Sequence, residues 1–133
     1  MAEVLTALAI HCRVGASSAF AWGRMDCTCW VADWVKARTG ADAMAAWRGR
    51  YRSRLGQARL LRRGAGGPTG AASRGLQAIG VAEIDPPAAR PGDIGIIETV
   101  DGPAMALRGQ LGWLAKTGDG LYRCPAAIKA WRL

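Results

Sequence analysis

One thiol stands out among the residues able to do chemistry. Cys27 follows Asp26 in Ala21-Trp22-Gly23-Arg24-Met25-Asp26-Cys27-Thr28-Cys29-Trp30-Val31-Ala32-Asp33-Trp34-Val35. Asp26 is suited to cap a helix, because its carboxylate can accept from the free amides of the first turn. Beyond it Cys27, Trp30, Val31, Trp34 and Val35 fall at i, i+3, i+4, i+7 and i+8, one face of an α-helix. A thiol in the first turn feels the positive end of the helix dipole, which favours thiolate, while the neighbouring carboxylate opposes it. Nucleophilic chemistry would further need a base beside the sulfur. The only histidine, His11, lies before Cys27 on another predicted helix. His11 is the one candidate base that the composition offers, and its alternative role is packing.

The other thiols, Cys12, Cys29 and Cys124, are read as reduced packing residues. Together with His11 and Cys27 they are of metal-ligand type. Cys27-Thr28-Cys29 nevertheless lacks the Cys-x-x-Cys spacing and has no second hook, so neither metal nor cofactor is expected.

The net charge of +8 is regional. Between Asp42 and Glu83 there is no acid, and Arg48, Arg50, Arg52, Arg54, Arg59, Arg62, Arg63 and Arg74 account for the whole excess. Arginine pairs carboxylates through two parallel hydrogen bonds, so docking of an acidic protein ranks first for Arg48 to Arg63. A solvated face with guanidiniums paired to Asp33 or Asp42 ranks second. Nucleic acid ranks last, since Tyr51 is nearly the only interleaved aromatic and no binding motif is present.

The elements that must position these groups divide the chain in two. Helices are expected over 2–13, from Cys27 to about Thr39-Gly40, over 53–63 with Ser53 as cap, and over 71–79, with a short turn at 41–47. Gly15 to Ser18 is read as a break and Gly64 to Gly70 as a turn cluster. Leu55, Ala58 and Leu61 form the expected inward face of the third helix. After Pro86-Pro87 the pattern turns to strands at 93–100, 104–108, 111–116 and 120–123, then a brief helix at 125–131. At 133 residues, one α+β domain is expected, helical to about residue 85 and sheet-forming from 86 to 133. No apolar run is long enough to span a bilayer, and Glu3 without a basic n-region does not read as a signal peptide.

Two motifs resemble those of the NlpC-type cell-wall peptidases, a branch of the papain-like cysteine peptidases. One is Trp22-Gly23 followed by Asp26-Cys27-Thr28-Cys29-Trp30-Val31; the other is Arg90-Pro91-Gly92-Asp93 opening the first strand. Adding Ala32-Asp33-Trp34-Val35 and Trp47-Arg48-Gly49-Arg50-Tyr51, the chain is similar to a phage and prophage family related to those peptidases. The resemblance implies a papain-like fold, with N-terminal helices on a small antiparallel sheet. It also implies a place in a virion tail or gene-transfer particle, tail-tip or baseplate proteins as partners, and peptidoglycan as a further ligand; synthesis in the bacterial cytoplasm is expected separately, from the lack of an export signal. In the peptidases a His begins the strand after the Pro-Gly-Asp strand; here that position holds Pro103 or Ala104. The expectation is therefore a tail-tip assembly component on a degenerate peptidase fold. A cysteine hydrolase using Cys27 is the alternative, and a nucleic-acid binder comes third.

Overall fold

The computed structural model describes residues 1–133. Four helices, α1 (Ala2–Ser17), α2 (Cys27–Thr39), α3 (Arg54–Ala65) and α4 (Pro68–Ala78), precede strands β1 (Ala82–Ile84), β2 (Ile94–Thr99), β3 (Gly102–Gly109), β4 (Gly112–Thr117), β5 (Gly120–Cys124) and β6 (Lys129–Arg132). The strands form one antiparallel sheet in the order β1-β6-β2-β3-β4-β5. No helix is long and apolar enough to cross a membrane.

Helix α2 is the centre of the core. Asp26 caps it through Oδ1, which accepts from the Cys29 amide at 2.8 Å, and Gly40 closes it in the left-handed region at φ 81°. From Thr28 to Val35 only Asp33 escapes full burial, so α2 is enclosed on nearly all sides. Its apolar residues pack with Leu8 of α1, Leu61 of α3, Leu76 of α4, and Met105 and Leu107 of β3. A smaller cluster of Ile97, Ala106, Trp113, Ala115 and Ala130 fills the opposite face of the sheet.

Several local expectations are corrected. Gly15 does not break α1, which runs on to Ser17. A Cβ at Gly15 would overlap the Trp30 indole, so this glycine permits close helix contact. Ser53 does cap α3, accepting from the Gly56 amide at 3.0 Å, but the inward face is Leu61 and Ala65. Leu55 is 60% exposed and Ala58 is also exposed. Helix α4 begins at Pro68, inside the expected turn cluster, because a proline at the first helical position forfeits no hydrogen bond. The terminal stretch supplies β6, not a helix; it lies between β1 and β2 and completes the sheet.

Candidate functional site

The carboxylate of Asp26 is fully buried and does more than cap α2. Its Oδ2 accepts from the Gly23 amide at 2.9 Å and from the Tyr51 hydroxyl at 2.6 Å, and Gln57 Nε2 in turn donates to that hydroxyl at 3.0 Å. The Gly49 amide donates to the Gly23 carbonyl at 2.9 Å. Gly23 sits at φ 81°, where a side chain would run into the Tyr51 carbonyl. Trp22-Gly23, Asp26-Cys27 and the Trp47–Tyr51 segment are thus one hydrogen-bonded unit. The Arg90–Asp93 turn acts similarly at the far end of α2. The Gly92 carbonyl accepts from Trp34 Nε1 at 2.8 Å, and the Asp93 carboxylate accepts from the amides of Arg90 and Leu133 at 2.8 and 3.1 Å.

Cys27 keeps part of its surface at the wall of a cleft of about 450 Å³. Around it stand Phe20, Trp22, Gln57, Pro103, Lys116 and Tyr122, with Arg54 and Asp101 also on the lining. Burial of the sulfur, and next the nearby Asp26 charge, push the thiol up to about 11. Contacts with Thr28 and the Met105 backbone only partly offset this. The helix N-terminus therefore does not deliver a thiolate here. Residues alternate across β3, and Met105 and Leu107 face the helices while Ala104 packs on the opposite cluster. Pro103 shares the helix side of β3 with Met105 and Leu107 and lines the cleft with Cys27, and its side chain can neither accept nor release a proton.

His11 is placed elsewhere. Its Nε2 lies 2.8 Å from the Trp30 carbonyl, which can only accept, so the ring donates there. Trp30 Nε1 donates back to the His11 carbonyl at 3.2 Å, and the two rings stack at 5.1 Å. Burial first of all lowers the His11 pKa, and the ring joins α1 to α2 without entering the Cys27 cleft. Cys29 is 1% exposed beside Tyr51, and burial with the Asp26 charge raises it to about 12. No three His, Cys, Asp or Glu side chains converge as a metal-ligand set.

These thiols predict the response to alkali. From the ordinary thiol range, roughly pH 8.5, the unfolded chain releases protons that the folded chain keeps up to about pH 11. The folded state then binds more protons, so stability falls as pH rises. Two such thiols give a slope approaching about 2.5 kcal/mol per pH unit. Urea midpoints measured from neutral to alkaline pH should drop accordingly, and Cys27→Ala/Cys29→Ala should flatten the drop. An unchanged slope in the double variant would refute this origin.

The arginines separate into two groups. Arg48 does not belong to a free docking face: it is half-buried and bridges Asp33 at 2.8 Å and Asp42 at 2.9 Å. Burial alone would raise the Asp42 pKa, yet the Arg48 hydrogen bond and charge hold it below the usual carboxylate range. Arg50 donates to the Ala46 carbonyl, and Arg54 pairs with Asp101 at 2.9 Å. Arg52, Arg59, Arg62 and Arg63 are exposed and engage no carboxylate. The last three share α3 with exposed Leu55 and Ala58.

Sequence reasoning found Cys27 and Asp26 but missed Lys116. This lysine is 2% exposed at the cleft, its Nζ donating to the Ser18 carbonyl at 2.6 Å. The signal was the alternation of β4, where Lys116 shares the inward side with Leu114.

Fold and site together define an α+β domain with a thiol at the N-terminus of its central helix, facing a cleft that holds no imidazole. A family model described as a domain of unknown function, DUF6950, matches residues 4–133, and the chain belongs to that family. No curated protein and no solved structure matches the chain.

Proposed function

We propose that the protein is an assembly component of a phage-like tail tip or baseplate, built on a papain-like fold of the NlpC type that has lost its catalytic base. The observation that carries this reading is Pro103 on the Cys27 side of the cleft, with the one imidazole bound to Trp30 instead. The setting within a tail is supported by the motif resemblance, and the motif residues are structural here: they tie the Trp22-Gly23 turn, α2 and Tyr51 together through Asp26. The exposed arginines of α3 beside Leu55 offer a face for an acidic neighbour. The alternative, a cell-wall hydrolase with Cys27 as nucleophile, draws on the partial exposure of Cys27 at an open cleft.

Particle incorporation distinguishes the two. Tagged protein should co-sediment with assembled tails, and Cys27→Ser should incorporate as well as the wild type. Arg59→Glu/Arg62→Glu/Arg63→Glu should lose incorporation while keeping the wild-type melting temperature, since these side chains are exposed. Absence of the wild-type protein from purified tails would refute the proposal.

A further inference from the structure

The cleft has a chemistry of its own beyond the absent base. Its one carboxylate, Asp101, is taken by Arg54 at 2.9 Å. Lys116, by contrast, has no carboxylate partner. An ammonium offers three donors, and a single backbone carbonyl engages Nζ here. Burying a charged group without a counter-charge is unfavourable, so an anion entering the cleft would meet a positioned, desolvated donor. Around it the walls are apolar and aromatic. Phe20 and Trp22 meet edge to face with centroids 4.9 Å apart, and Tyr122 and Pro103 contribute further surface. The volume of about 450 Å³ lies in the range of small-molecule sites, which pair apolar walls with a few fixed polar groups.

We propose that this cleft binds an organic monocarboxylate with an aromatic or branched apolar body, its carboxylate accepting from Lys116 and its body lying against Phe20, Trp22 and Tyr122. A single charge is specified because Lys116 is a point charge and not a planar fork, and because Arg54 and Asp101 on the lining compensate each other and leave Lys116 as the one unpaired charge. The proposal rests on reading the cleft as a binding site and not a reacting one. It requires no bond to form at Cys27.

The test is a proton–nitrogen correlation NMR titration of the full chain with hydrocinnamate and, in parallel, with its uncharged amide. Saturable shifts should be confined to the cleft lining: Phe20, Trp22 with its indole, Cys27, the segment from Lys116 to Gly118, and Tyr122. The acid should bind about tenfold or more tightly than the amide, the effect of one charge-assisted hydrogen bond. Lys116→Met should erase that preference and Lys116→Arg should retain it. Equal affinities, shifts scattered over the surface, or no saturation with either probe would overturn the proposal. Should Lys116→Met fail to fold, the acid–amide comparison on the wild type decides alone. A negative result here leaves the question of Cys27 reactivity untouched, because that is read by alkylation and by cell-wall digestion.

Discussion

Asp26→Ala should destabilise the protein by about 3–5 kcal/mol, a large part of the roughly 5–15 kcal/mol that holds an ordinary domain together. The wild-type carboxylate is fully buried and accepts three hydrogen bonds, from the amides of Gly23 and Cys29 and from the Tyr51 hydroxyl. Removing an N-cap alone costs about 1 kcal/mol. The remainder arises because alanine leaves the Gly23 amide and the Tyr51 hydroxyl buried without an acceptor. Asp26→Asn keeps the shape and one acceptor oxygen, so its loss should be smaller. Tyr51→Phe removes only one of the three bonds and should lie between Asp26→Asn and the wild type or close to the former. Urea denaturation measures all three. A midpoint for Asp26→Ala within error of the wild type would show that this carboxylate does not join the three segments.

The second large effect is chemical. In the folded protein Cys27 should react with iodoacetamide at neutral pH at least about tenfold more slowly than in the urea-unfolded chain. Raising the thiol from about 9 to about 11 lowers its thiolate fraction by roughly 100-fold. Each remaining thiolate is about tenfold more nucleophilic, because nucleophilicity rises with pKa, and this recovers part of the loss. Enclosure by Thr28 and the Met105 backbone slows approach further. Peptide mapping after timed labelling reads the rate at Cys27 separately from Cys12, Cys29 and Cys124. Folded-state labelling as fast as in urea would mean that a cation or base acts on the sulfur.

Local signals carried the helical half well. Asp26, Gly40 and Ser53 are caps whose chemistry lies within a few residues of the helix ends they set. The division into helices and an antiparallel sheet was legible for the same reason, since hairpin turns such as Asp101-Gly102 lie beside the strands they join. Gly15 misled because close approach to Trp30 is a tertiary demand that no neighbour in sequence reveals. Leu55 misled in the other direction: α3 packs one turn further on, through Leu61 and Ala65. Strand β6 was hidden by helix-favouring alanines in Pro125-Ala126-Ala127-Ile128-Lys129-Ala130, and its pairing with β1 and β2 depends on residues far away in the chain. At the site, the thiol and its capping carboxylate could be read from spacing. That Tyr51 completes the carboxylate's shell, and that Lys116 is buried beside the cleft, required the sheet and the loop to be folded together.

The helix beginning at Cys27 thus has a buried cap and a cleft beside its thiol, while Pro103 lines that cleft and the one imidazole, His11, is bound at the Trp30 carbonyl. Incubation of purified peptidoglycan sacculi with the wild-type protein and with Cys27→Ser, followed by chromatography of released fragments, tests this most directly. The expected result is no release by either protein above a buffer control. Fragments released by the wild type and lost with Cys27→Ser would contradict it.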